Sequence, residues 1–171
     1  NLADMPAPAP QPMSGRPGVT LSLSQDHHAL LEDHLLSEDG CEGVAVALCG
    51  RRVGSTTHRL LVREVHPFPH EQCDARSPVR VTWRSDFLVS LLERAEAEGL
   101  ALVKVHSHRT DYREFSRTDD QADHELFPCV AGWTGSAFPH ASVVMLPDGA
   151  MFGRAFWPGF GWWQSQQSSL T

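Results

Sequence analysis

The run Gly43-Val44-Ala45-Val46-Ala47-Leu48-Cys49-Gly50 constrains the fold most, because it is apolar at odd and even positions alike. Strand side chains alternate between two faces, so such a run needs cover on both sides and belongs in the middle of a sheet. Leu100 to Val105 is a second short run, mostly apolar and rich in β-formers, and it also predicts a buried strand. A chain of 171 residues is expected to make one domain with a proper core.

The remaining elements arrange themselves around these strands. Residues 1–19 are dense in proline without apolar periodicity and read as a flexible leader or linker. Ser24 is a candidate N-cap for a helix to about Ser37, with Leu30, Leu31, Leu35 and Leu36 at helical spacing and Asp39-Gly40 as its break. His58 to His66 predicts a strand that forms a hairpin with the first run, with Leu60, Val62 and Val65 inward, and Pro78 to Trp83 predicts a third strand. Ser85 is read as the cap of a helix to about Glu98, apolar at Phe87, Leu88, Leu91, Leu92 and Ala95 and stopped by Gly99.

A further helix is expected from about Ser116 to Phe127, ending before Pro128, followed by a loop from Ala131 to Pro139. His140 to Leu146 and Ala150 to Phe156 then flank a Pro-Asp-Gly turn and predict a hairpin. The pattern is α/β, a mixed β-sheet flanked by helices over residues 20–156. From Trp157 to Thr171 the tail is aromatic and then Ser/Gln-rich, and its aromatics either mark a partner surface or pack back on the domain.

The strand from Leu100 runs into His106-Ser107-His108. Alternation puts His106 and His108 on one face and Ser107 on the other. Ser116 and Asp119 are spaced i, i+3 at a helix start and can point the same way. Two neutral imidazoles and a carboxylate make a three-ligand Zn²⁺ site, with the fourth position open for water. Ser116-x-x-Asp119 is also a capping-box signature, and the two roles are compatible.

Histidine-x-histidine, seven residues, then Ser-x-x-Asp resembles the signature of the JAMM (JAB/MPN) zinc metalloproteases. The resemblance covers about residues 20–156 and implies the JAMM/MPN-type, cytidine-deaminase-like mixed sheet. It implies Zn²⁺ on His106, His108 and Asp119, and a general-base glutamate ahead of the first core strand. Glu42 is the best match, one residue further from Leu48-Cys49-Gly50 than is usual, which leaves Glu38 as a rival. It implies that Ser116 hydrogen-bonds the developing oxyanion.

The implied reaction is hydrolysis of peptide or isopeptide bonds after the C-terminal tail of a ubiquitin-like protein, in deconjugation or precursor processing. The compact form resembles the bacterial branch found beside ubiquitin-like conjugation genes. E1/E2-like enzymes of such a system are therefore expected partners, and antiviral defence is expected by analogy. One departure is Arg109, where the family usually carries proline after the second histidine.

A formal charge of -7 argues against sequence-independent nucleic-acid binding. No run reads as a membrane span or secretory signal, so a cytoplasmic location is expected. Cys41, Cys49, Cys73 and Cys129 form no Cys-x-x-Cys pair and read as ordinary thiols. The His and Cys of the proline-bounded loop from His66 to Asp74 lack ligand spacing, so no second metal is expected there. Lys104 is the only lysine, in keeping with a coding bias toward arginine or with work beside lysine-modifying enzymes. Three other readings stay open: a non-catalytic MPN scaffold, which normally lacks a ligand; a RadC-like protein of DNA metabolism, whose Asn between the histidines is absent here; and a peptidase trimming a sulfur-carrier protein.

Overall fold

A computed structural model describes residues 17–165. One mixed sheet runs through it, built from β1 (Gly18–Ser22), β2 (Val44–Arg52), β3 (Thr57–Pro67), β6 (Ala101–Ser107), β7 (His140–Met145), β8 (Met151–Trp157) and β9 (Gly161–Ser165). The order is β1-β3-β2-β6-β7-β8-β9, parallel at β1/β3 and β6/β7 and antiparallel elsewhere. The pair β4 (Ala75–Ser77) and β5 (Arg80–Thr82) forms a separate small hairpin. The helices are α1 (Gln25–Leu35), α2 (Val89–Glu98) and α3 (Arg117–Thr134).

The all-apolar run becomes β2, between β3 and β6, and alternation splits it between two cores. Ala45, Ala47 and Cys49 join Leu31 and Leu35 of α1 on one face. Val46 and Leu48 join Leu91 and Leu92 of α2 and Val130 of α3 on the other. The same alternation in β6 gives Val103 and Val105 to the α1 side and Leu102 to the α2/α3 side. Lys104 and His106 follow Leu102 onto the face that α3 covers.

The structure departs from the sequence expectations at four places. β1 begins at Gly18, inside the stretch read as leader, and Val19 is 7% exposed. The third strand is half of the detached β4/β5 hairpin, for Pro78, which has no N–H to give a ladder, stands at its turn. Ser85 makes no side-chain cap; a 3₁₀ turn, Ser85–Leu88, precedes α2. Gly99 does stop α2, in the left-handed conformation at φ 66° that glycine adopts without strain.

Pro128 does not end α3, which continues to Thr134. Pro128 and His124, the residue whose carbonyl loses its partner, are both exposed, so water can replace that bond, while Phe127 and Val130 on the inner face are fully buried. The tail returns to the sheet as β9, and the Trp162 ring lies 4.9 Å from Phe127 and 5.1 Å from Phe156. Packing back, not display, is the role of Trp162. No helix among the described residues is long and apolar enough to cross a membrane.

Candidate metal centre

The β2/β6 register places Val44 opposite His106. The residues just before β2 therefore lie beside the end of the strand that carries the histidines. Ser107, on the other face of β6, makes this junction tight: its Oγ accepts from Gly43 N at 2.9 Å and its N–H donates to Gly43 O at 3.2 Å. Glu42, one residue earlier, is 6% exposed. Glu38 stands in the exposed part of the same loop.

From the other side, the first turn of α3 brings Asp119. Ser116 is its N-cap in a complete capping box: Ser116 Oγ accepts from Asp119 N at 3.1 Å and Asp119 Oδ2 accepts from Ser116 N at 2.8 Å. The helix cap thus fixes the carboxylate, and His106 Nε2 lies 2.9 Å from Oδ1 and His108 Nε2 3.0 Å from Oδ2. Accepting the backbone bond leaves the Ser116 O–H free to donate elsewhere.

His106, His108 and Asp119 offer one ligand atom each within 4.8 Å of one another, and all three are buried. No other such group of histidine, cysteine or acid side chains occurs among the described residues. The His108 Nδ1 hydrogen bonds to Tyr112 O at 2.9 Å, which sets its tautomer and leaves Nε2 with a lone pair toward the centre. His106 is 1% exposed, and its contact with Asp119 lacks hydrogen-bond geometry, so neither of its ring nitrogens has a hydrogen-bond partner. A buried imidazole that faces a carboxylate without hydrogen-bonding it is better satisfied when a cation between them takes its lone pair. The donor set, two imidazoles and a carboxylate, suits a divalent cation such as Zn²⁺.

The electrostatics point the same way. Burial pushes the pKa of His106 down, which keeps its ring neutral as a ligand must be. Burial also opposes the charged forms of Asp119 and His108, but the imidazoles of His106 and then His108 hold Asp119 well below the usual carboxylate range, and Asp119 with the Tyr112 carbonyl raises His108. Burial raises Glu42 to about 7, with His108 pulling it down and the Asp119 charge pushing it up. A carboxyl raised in the folded state is fully tolerated below its unfolded pKa and destabilises the fold increasingly as pH rises through that window. In metal-free protein, Glu42→Gln is therefore expected to match the wild type near pH 4 and to be more stable above pH 7, by at most about 3 kcal/mol. Thermal melts at both pH values test this, and equal melting temperatures at pH 8 would reject it.

Sequence reasoning missed several groups that shape the centre. Arg76 donates from Nε to Glu42 O at 2.9 Å, and Glu42 N donates to Ser77 O at 2.8 Å, so the β4/β5 hairpin holds the acid in place. Asp123, one turn beyond Asp119, is fully buried and accepts from Lys104 Nζ at 2.8 Å and from Arg154 Nη2 at 2.7 Å. The only lysine is thus 4% exposed. Arg109 donates to Leu35 O at 3.3 Å, at the end of α1 where the last carbonyls lack helical partners, and to Ser37 O at 3.1 Å in the loop that follows. Partners 34 and 72 residues apart leave no local signature in a sequence.

Comparison with known proteins agrees with this architecture. A family model described as prokaryotic homologs of the JAB domain matches residues 24–157. No curated protein matches the chain. Among solved structures the chain is similar to the solution structure of a protein from Desulfitobacterium hafniense, with 14% identity over 89% of this chain and 93% of that one and a TM-score of 0.52, a likeness of fold.

Proposed function

Because the chain belongs to the family of prokaryotic homologs of the JAB domain, we propose that it is a zinc-dependent hydrolase of peptide or isopeptide bonds at the C-terminus of a ubiquitin-like protein. The observation that carries this reading is the buried His106, His108 and Asp119 group, whose ligand atoms converge within 4.8 Å, with Glu42 alongside. His106 Nε2, His108 Nε2 and an Asp119 oxygen would hold the ion, and when bound it supplies Lewis acidity toward a water and a substrate carbonyl.

The chain's own groups supply the rest. Glu42, with a pKa near neutrality in the metal-free protein, is suited to take a proton from the attacking water and return it to the departing amine. The Ser116 hydroxyl, held by the helix cap, donates to the oxyanion that develops on the carbonyl, a contribution of about 3 kcal/mol where such donors have been removed. Asp119 combines ligand and capping duties, so the centre is pinned to α3.

A cavity of about 360 Å³ is lined by Val81, Thr82 and Trp83, by Thr118 and Leu126 of α3, the helix that carries Asp119, and by Lys104 of the strand that carries His106. β5 has β4 as its strand partner, and an extended tail added to an unpaired strand edge is a common mode of peptide recognition. Such a tail suits the C-terminus of a ubiquitin-like protein, and the conjugates of that protein and the E1/E2-like enzymes that make them are the partners this reading assigns.

The test is cleavage of ubiquitin-like fusions by purified protein, with and without a chelator. Cleavage that chelator stops and zinc restores is expected. Protein that carries less than about a tenth of an equivalent of metal after zinc loading and cleaves nothing would favour a binding scaffold, since a site that fits zinc takes it up in near-stoichiometric amount.

A further inference from the structure

Glu42 occupies an unfavourable place for a carboxylate: it is buried and near a second acid, Asp119. Left to itself, the loop between α1 and β2 would relieve this by turning the side chain into water. That loop has no regular structure and bends at Gly40, where φ is 71°. Something must restrain it.

We propose that Arg76 is a positioning residue for Glu42, gripping the loop that carries it, and that Arg109 anchors the other end of the same loop to the strand of the two histidines. The inference rests on the hydrolytic reading of Glu42, and the geometry beneath it is independent of that reading. Every nitrogen of the Arg76 guanidinium is engaged. Nε donates to Glu42 O at 2.9 Å, Nη1 to Asp39 Oδ2 at 2.7 Å, and Nη2 to Ser37 Oγ at 3.3 Å and Asp39 Oδ1 at 3.4 Å.

Asp39 completes the loop's own frame, its Oδ1 accepting from Ser37 Oγ at 2.8 Å and from Cys41 N at 2.9 Å. Those bonds and Arg76 hold the Asp39 carboxyl well below the usual carboxylate range. The Arg76 side chain is 13% exposed against 46% for Asp39, so the guanidinium is sandwiched under the loop and not spread on the surface. A planar fork serving a carboxylate, a hydroxyl and a carbonyl at once is a task for which lysine is a poor substitute.

Arg109 reaches the same residue from the opposite direction. Its Nη2 donates to Ser37 O at 3.1 Å while Arg76 Nη2 donates to Ser37 Oγ, so Ser37 is held from two sides. Arg109 follows His108 directly in the chain, and Arg76 lies on β4 beside the Ser77 carbonyl that accepts from Glu42 N. The base-bearing loop is thus tied both to the ligand strand and to the β4/β5 hairpin beside the cavity. Each tie acts on peptide groups or on Asp39, none on the reacting atoms, which is why the role is positioning.

The test uses the full chain with Arg76→Ala, Arg76→Lys and Arg109→Ala. In metal-free protein, amide exchange at Glu42 and Gly43 is expected to accelerate at least tenfold in Arg76→Ala, with Val103 and Val105 of β6 unchanged and zinc affinity within about twofold of wild type. With a ubiquitin-like fusion as substrate, kcat is expected to fall roughly 10- to 100-fold, as for misplacement of a catalytic group by about an ångström, with KM within threefold. Arg76→Lys, which keeps a cation opposite Asp39, should accelerate the same amides at least threefold, and it decides the matter if the alanine variant does not fold. Arg109→Ala should loosen Ser37 more than Glu42.

Unchanged exchange at Glu42 and Gly43, or KM rising as much as kcat falls, overturns the proposal. A wild-type chain that cleaves nothing removes the hydrolytic reading, while the exchange rates still judge the clamp.

Discussion

Glu42→Gln is expected to lower the rate of fusion cleavage by about 10³-fold while zinc still binds at close to wild-type affinity. Glutamine has nearly the shape of glutamate but takes no proton, so it removes proton transfer without vacating the space. Glu42 is not among the three side chains whose ligand atoms converge, so zinc uptake should survive the change. Glu38→Gln, in the exposed part of the loop, should leave kcat within twofold. Full activity in Glu42→Gln, or a loss in Glu38→Gln instead, would reverse the assignment. The substitution also relieves the burial of a charge, so the inactive variant is expected to melt above the wild type at pH 8, a separation of stability from activity common at functional sites.

The second large effect lies one turn along α3. Asp123→Ala strips the counter-charge from Lys104, which is 4% exposed, and from Arg154, whose side chain is 11% exposed. Breaking such a pair from one side costs about 3–5 kcal/mol, since the remaining charge stays buried without compensation. For a domain of this size that corresponds to a fall of roughly 10 °C in Tm. Arg154 keeps Asp120 at 2.6 Å and lies over the Phe115 and Trp162 rings, so most of the cost falls on Lys104. Lys104→Met combined with Asp123→Leu should therefore be less destabilising than Asp123→Ala alone. A loss under about 1 kcal/mol in the single variant would show that water reaches Lys104 after all.

These expectations share a structural cause. The ion pair ties α3 to β6, the helix that presents Ser116 and Asp119 to the strand that presents His106 and His108. Loss of the pair should widen the distance between ligands, and zinc affinity in Asp123→Ala reports on that directly.

The sequence by itself determined the elements whose signals are local. β2 was legible because its run is apolar at every position, which only a doubly covered strand tolerates. α1 was legible from Ser24 and its leucine spacing, the end of α2 from Gly99, and the last hairpin from Asp148-Gly149. The ligand set could be proposed because His106 and His108 share a strand face and Ser116 and Asp119 share a helix turn, so short-range periodicity alone brings each pair together.

Tertiary structure decided what depends on partners far apart in the chain. Pro128 read as a stop, but the burial of Phe127 and Val130 outweighs one missing bond on a wet face. Pro78 to Trp83 has the look of a sheet strand, and only the pairing with Ala75–Ser77 shows it detached. Local pattern favours Glu42 over Glu38 without removing the rival; the difference between them in the fold is burial, set by the β2/β6 register and by Ser107 and Arg76 reaching across from elsewhere. Arg109 has the same physical explanation, since a guanidinium that satisfies the end of α1 is defined by carbonyls 72 and 74 residues away. Periodicity fixes which side chains share a face, and only packing fixes which of them lose water and find one another.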